Sequence, residues 1–223
     1  MIDILRMVFF GAAIICGLIF ILAVKNGSQN RFRWLLIACI LAVLGVGMIL
    51  LNNYRISSNK KALESSPVIS KAMEDITPIL TADNRLALIR SQADGQFIKE
   101  PYVLVPIDKV YNWDDRTKDS YQITDGDSCG SGGQFISAEQ LDQCQTIFFY
   151  ETFVLEMPYR STNGTTTTGK SESKTVYVYD VKTHTLFDYK VFDTNLPSIS
   201  SGTPNMKVDT QTILDWIKEQ IHH

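Results

Sequence analysis

The chain has 223 residues, of which 45% are hydrophobic and 20% charged, and this length suits one domain with an additional segment. Four of the 21 basic and one of the 24 acidic residues lie before Tyr54, which leaves 17 cations against 23 anions, a net charge of −6. An acidic domain without a basic stripe repels phosphate backbones, so nucleic acid is excluded as an expected partner.

Two segments near the amino end, residues 7–24 and 34–51, each contain 18 residues without a charge. A helix of that length covers about 27 Å, close to the roughly 30 Å hydrocarbon core of a bilayer. The sequence therefore predicts two transmembrane helices, joined by a short loop into an antiparallel hairpin over residues 1–53. Buried helices of a soluble protein, or a cleaved signal peptide, fit this pattern less well.

The loop between the predicted spans contains Lys25, Arg31 and Arg33 and no acidic residue. Positive charge concentrates in cytoplasmic loops, so this density favours a cytoplasmic loop, although further basic residues follow the second span. We therefore expect an integral protein of the inner or plasma membrane whose carboxyl-terminal domain is extracytoplasmic, and periplasmic in a Gram-negative bacterium.

Residues 54–66 are polar and without pattern, which predicts a linker before a soluble domain over residues 67–223. Pro67 suits the first position of a helix, apolar residues recur after it at helical spacing, and Pro78 is expected to end this helix.

Beyond Phe97 the pattern becomes that of strands. Residues 102–107 form the first, with Pro106 favouring an edge position. Residues 147–157 are apolar on both alternating faces, which indicates a central strand that is covered on each side or that forms an interface. Residues 175–181 and 186–192 have the spacing of a tight hairpin.

Two further helices and a polar segment complete the pattern. Ser137 and Gln140 match a capping box, and Asp209 suits the start of an amphipathic closing helix. Residues 161–174 have nothing to bury and are expected to form a mobile hairpin tip. The predicted class is α+β, an antiparallel β-meander with packed helices that follows the two-helix transmembrane hairpin.

Cys129 and Cys144 are the two cysteines outside the predicted spans. An even pair suits an oxidising compartment, and a disulfide between them would stabilise the fold by about 3 kcal/mol on the chain-entropy model. The alternative is two unrelated buried thiols. A zinc site is not expected, because two thiolates lack the further ligands that tetrahedral coordination requires.

The segment Gly126–Gly133 is superficially similar to the nucleophile motif of trypsin-like serine proteases, but Cys129 interrupts it. Those enzymes also need a histidine that precedes the serine, whereas the three histidines here all follow it. Asp125 and Asp127 suggest a calcium loop, yet Ile136 stands where the EF-hand requires a glutamate. We therefore expect no catalytic set, no metal and no cofactor.

Trp113, Asp114 and Asp115 form a possible interaction patch in an irregular stretch, although Trp113 could equally pack in the core. The leading hypothesis is a non-enzymatic, membrane-anchored module that binds a protein, as an accessory subunit of a cell-envelope complex or an inhibitor or immunity-type protein. The first alternative is an extracytoplasmic hydrolase that uses carboxylates or a cysteine. The second is a small-ligand sensor with an apolar pocket lined by Tyr177, Tyr179 or Phe187.

Overall fold

The computed structural model describes residues 14–16, 19, 21, 24–25, 31–90, 98–110, 120–124, 136–160, 162, 164–194 and 205–221. The chain divides into two compact units, Met1–Ser57 and Ser58–His223. Helix α1 (Arg31–Ser65) contributes residues to both units.

In the first unit, α1 is a long apolar helix. Its stretch Leu35–Ser65 has 31 residues and reaches a mean hydropathy of 2.7, so by length and composition it is sufficient to cross a membrane. Its apolar side chains are exposed, Leu36 to 62% and Val43 to 70%. The predicted span 34–51 lies in this helix. Most of the predicted span 7–24 lies outside the described residues, so the two-helix hairpin stays a prediction.

The segment 54–66 differs from the polar linker that we predicted, because α1 continues through it to Ser65. Leu63 is fully buried in the second unit and Asn59 is 2% exposed. Residues four apart share one face of a helix. The hydropathy pattern did not indicate this buried face, because Asn59, which lies on it, is polar. Asn59 is buried with its Oδ1 accepting a hydrogen bond from Ile136 N at 2.9 Å.

The second unit contains, in the part that the structure describes, four further helices and six strands. The helices are α2 (Pro67–Leu80), α3 (Arg85–Arg90), α4 (Ala138–Asp142) and α5 (Thr210–Ile221). The strands are β1 (Tyr102–Val110), β2 (Ser120–Ile123), β3 (Thr146–Arg160), β4 (Thr166–Asp180), β5 (Thr185–Asp193) and β6 (Asn205–Met206).

Local capping explains where these helices begin. The Ser66 side chain accepts a hydrogen bond from Ile69 N at the start of α2, and α4 carries the predicted capping box between Ser137 and Gln140. Pro78 lies inside the last turn of α2 and does not end the helix as predicted. Helix α5 begins beside Asp209, whose Oδ1 accepts from Gln211 N at 3.0 Å.

The strands form one mixed sheet in the order β2-β1-β3-β4-β5, with β6 paired to β4. The prediction of a purely antiparallel meander is wrong, because β1 and β3 run parallel. The chain reverses in β2 and then passes through α4, so it enters β3 in the direction of β1. Pro106 therefore lies in an interior strand, next to the end of β2, whose pairing with β1 begins at Ile107.

Helices cover both faces of the sheet. On one face, side chains of α1, α2 and α3 pack with Phe149, Tyr177 and Tyr179. On the other face, α5 packs with Phe148 and Val178. Strand β3 alternates between these two cores, which is why its sequence is apolar at successive positions.

Strands β3 and β4 pair without interruption from Thr146 with Asp180 to Arg160 with Thr166. The polar segment 161–174, which we predicted to be a hairpin tip, is therefore strand from Thr166 onward. Threonine has a high strand propensity, and this explains how the segment forms a strand with little to bury.

Candidate functional site

The predicted site residues fall largely outside the described part of the chain. Trp113, Asp114 and Asp115 lie there, as do Asp125, Asp127 and Cys129, so the interaction patch and the proposed hydrolase residues stay predictions.

Cys144 is a buried free thiol whose Sγ donates to Thr146 O at 3.0 Å. None of the cysteines that the structure describes forms a disulfide, so the predicted bond from Cys144 to Cys129 is not seen. Burial raises the pKa of Cys144 to about 12. Cys144 is therefore a neutral, inert thiol in this state and is unsuited to act as a nucleophile.

The outer half of the β3–β4 hairpin, which we call the arm, comprises residues 152–160 of β3 and 166–174 of β4. Glu151 is the last residue of β3 that pairs with β1. Beyond it, three consecutive apolar residues of the arm are exposed: Phe153 to 64%, Val154 to 47% and Leu155 to 46%.

These three side chains lie on both faces of the arm, because successive residues of a strand alternate. Phe153 and Leu155 share the face of Phe149, and Val154 shares the face of Phe148. Isolated exposed apolar side chains are normal, but a contiguous group of them is typical of an interaction site.

A polar cluster lies at the base of the arm and joins α3 to three strands. Glu151 Oε1 accepts from Tyr177 OH at 2.6 Å and from Arg85 Nη2 at 3.2 Å, while its Oε2 accepts from Tyr121 OH at 3.2 Å. Arg85 Nη1 also donates to the Tyr121 oxygen at 3.1 Å. Both Glu151 oxygens are thus engaged within the fold.

The electrostatics of this cluster keep its two tyrosines neutral and Arg85 charged. Burial, and then the neighbouring Glu151 carboxylate, raises the pKa of Tyr121 and of Tyr177. Burial opposes the charge of Arg85, but Tyr177 and Glu151 outweigh it and raise its pKa. The tyrosines therefore act as neutral donors, and the cluster fixes the start of the arm.

A second polar cluster joins α2 to the β4–β5 turn. Asp75 Oδ2 accepts from Tyr179 OH at 2.6 Å and lies 3.1 Å from His184 Nδ1, while Lys71 Nζ lies 3.1 Å from its Oδ1. Burial disfavours the Asp75 carboxylate, but these three partners outweigh it and lower its pKa. His184 has a φ of 56°, as a tight turn requires.

The described cavities do not match the predicted sensor pocket. An open cleft of about 300 Å³ is lined by Glu100, Pro101, Tyr102, Val103, Ile136 and Gln140. A smaller one of about 150 Å³ lies where α4 meets the start of α2. Neither is lined by Tyr177, Tyr179 or Phe187, which are at most 5% exposed in the core.

Within the described ranges, no three His, Cys, Asp or Glu side chains are grouped so that they could hold a metal ion. Comparisons with known protein families, curated proteins and solved structures find no match.

The sequence did not identify the arm, although it contained a signal for it. The run 147–157 allowed either a covered strand or an interface, and the structure divides it between the two: it is covered to Tyr150 and exposed from Thr152 to Glu156, and Met157 is half-buried. The partners of Glu151 gave no such signal, because Arg85 is 66 residues away along the chain.

Proposed function

We propose that this protein is a non-enzymatic, membrane-anchored module that binds another protein through the arm. The observation that carries the proposal is the exposed group Phe153, Val154 and Leu155, held on a strand whose inner half is fully buried. A partner that covers these side chains removes apolar area from water, which supplies about 25 cal/mol per Å². Because β3 is already paired with β4 along the whole arm, little backbone ordering is needed on binding.

The anchor in this proposal is α1, with the second unit on the extracytoplasmic side, as the cations of the predicted cytoplasmic loop favour. An accessory subunit of an envelope complex, or an inhibitor or immunity-type protein, has this organisation. A reporter that is active only in the cytoplasm, fused to the carboxyl end, is expected to be inactive. An active fusion would contradict the orientation while leaving the binding role intact.

Site-specific photo-crosslinking in native membranes tests the binding role. A benzophenone side chain replaces Phe153 in one variant and Lys190, an exposed residue of β5, in the control. We expect one discrete adduct from position 153 and none from position 190. A stoichiometric partner that co-purifies with the wild type and is lost with Phe153→Ser would support the same conclusion. Identical patterns at the two positions would contradict the proposal.

A further inference from the structure

The arm offers a partner its backbone as well as its side chains. Strand β3 has β4 on one side along its whole length, but β1 on the other side only as far as Glu151. In the part of the chain that the structure describes, no strand pairs with residues 152–160 on the side of β1. This side of the arm is therefore an open sheet edge.

The hydrogen bonds of Glu172 identify the backbone groups that face this open edge. Glu172 N donates to Thr194 Oγ1 at 3.0 Å, and Glu172 O accepts from Thr194 N at 3.0 Å, so both groups point away from β3. Val154 is opposite Glu172 in the register. In an antiparallel ladder such a pair exchanges no hydrogen bonds, so the Val154 N–H and C=O point to the open edge.

The backbone groups of successive residues in a strand face opposite edges, so those of Thr152, Glu156 and Pro158 face the same edge as those of Val154. A proline in a ladder belongs where its missing N–H faces away from the neighbouring strand, and Pro158 occupies such a position. Because Pro158 has no N–H, the backbone donors along the open edge end before it. Ile107, the last partner of Glu151 in β1, takes the Thr152 N–H, because a parallel partner bonds to the residues on either side of its pair. The open edge thus presents the Thr152 C=O and the N–H and C=O groups of Val154 and Glu156 over about five residues, or roughly 17 Å.

A second copy of the chain does not fit this edge. Each copy has its own β1 on the same side, so two arms can pair along their length only with the two-fold axis near Glu156. That register places the two Glu156 carboxylates opposite each other and sets Pro158, which has no donor, opposite Val154. Moving the axis toward Val154 would bring the outer end of each arm against the β1 of the other copy.

We propose that the open edge of the arm binds an extended segment of a different protein as an added strand, in line with β1. The segment pairs with the backbone of residues 152–156, and its central side chains are apolar on both faces, to match Phe153 and Leu155 on one and Val154 on the other. This inference rests on the proposed function and adds the mode of recognition.

Amide hydrogen exchange tests this mode, with full-length protein in detergent. In the free protein the amides of Val154 and Glu156 are expected to exchange at least tenfold faster than those of Phe153 and Leu155, which donate to β4. If the four amides are equally protected, another strand already occupies the edge and the inference is wrong.

The probe is a synthetic peptide with the sequence of residues 174–182, KTVYVYDVK, whose central residues form a strand in this fold and place apolar side chains on both faces. At about 2 mM it is expected to slow exchange at Val154 and Glu156 at least twofold, which corresponds to half-occupancy or more. Phe153 and Leu155 should change little. No added protection at Val154 at that concentration overturns the inference.

A backbone variant provides the matched control. Val154→Pro removes the donor that faces the open edge and leaves the β3–β4 ladder intact, as Pro158 does on the same strand, whereas Val154→Thr keeps the donor. Peptide protection of the Glu156 amide and the crosslink from position 153 are expected to be lost in Val154→Pro and kept in Val154→Thr.

The two proposals fail in different ways. If Val154→Pro keeps the crosslink while Phe153→Ser loses it, strand addition is wrong and docking through side chains stands. If neither variant changes the crosslink, the proposed function itself is wrong. A circular dichroism spectrum and melting temperature like those of the wild type establish that Val154→Pro is folded.

Discussion

The two halves of the β3–β4 hairpin share one continuous register but have opposite surroundings. In the inner half, Phe148 and Phe149 are fully buried between helices on both faces. In the outer half, Phe153 is 64% exposed. The residue types of the two halves are similar, so composition does not explain the difference. The paired length of β1 ends at Glu151, and Arg85, the first residue of α3, contacts Glu151. This boundary separates the residues that stabilise the fold from those available to a partner.

The largest expected effect comes from a matched pair of phenylalanines on the same face of β3. Phe149→Ala removes a fully buried ring that packs against Tyr179 at 6.2 Å between ring centroids, and should lower the free energy of unfolding by about 3–5 kcal/mol. Phe153→Ala should change it by less than about 0.5 kcal/mol. Denaturant unfolding of both variants measures the contrast, and equal losses would show that the arm is buried in solution.

A second pair contrasts two glutamates of β3. Glu151→Gln weakens charge-assisted hydrogen bonds to Arg85, Tyr121 and Tyr177, and we expect a loss of about 2 kcal/mol. Glu156→Gln removes an exposed ion pair with Lys170, and should cost at most about 0.5 kcal/mol. The same unfolding experiment applies. A Glu151 variant as stable as the Glu156 variant would contradict the structural role of the cluster.

The pH dependence of stability tests Asp180, the last residue of β4, which pairs with Thr146 at the inner end of the hairpin. Burial disfavours its carboxylate, but Lys99, whose Nζ lies 2.7 Å away, and the turn backbone outweigh this and lower its pKa below 3.8. A lowered folded-state pKa gives stability that is present above about pH 4 and is lost as the pH falls through the folded-state value. Unfolding at pH 2 to 6 should show a shallower acid loss in Asp180→Asn than in the exposed control Asp188→Asn.

The last prediction concerns the chemical reactivity of Cys144 rather than stability. It tests whether water is excluded from this buried thiol. With its pKa raised to about 12 from an ordinary 9, the reduced native protein has about a thousandfold less thiolate at Cys144 than an unperturbed thiol. Alkylation at pH 8 should therefore be slow until the protein unfolds. Rapid native labelling would show that this start of β3 is open to water. The same labelling after unfolding, without reductant, would also test the predicted disulfide to Cys129. A disulfide would prevent Cys144 from being labelled even in the unfolded protein.

Helix starts and most strands were predictable from the sequence, because they depend on neighbours in the chain. Ser66 and Ser137 cap their helices by accepting from the backbone N of Ile69 and of Gln140, each three residues further along the chain. The direction of β1 relative to β3 was not predictable, since it follows from the path of the chain through β2 and α4. Asn59 escaped prediction for a similar reason: a polar residue is buried there because its partner, Ile136 N, is 77 residues away.

The sequence by itself determined the apolar character of α1, the acidic charge of the rest of the chain and the alternation along β3, because these depend only on residue type and spacing. Only the tertiary structure decided which part of β3 is core and which part is surface. Burial is set by what packs against a residue, and the helices that cover Phe149 are distant in sequence from the strand they protect. The exposed arm, on which the proposed function rests, is therefore a property of the fold.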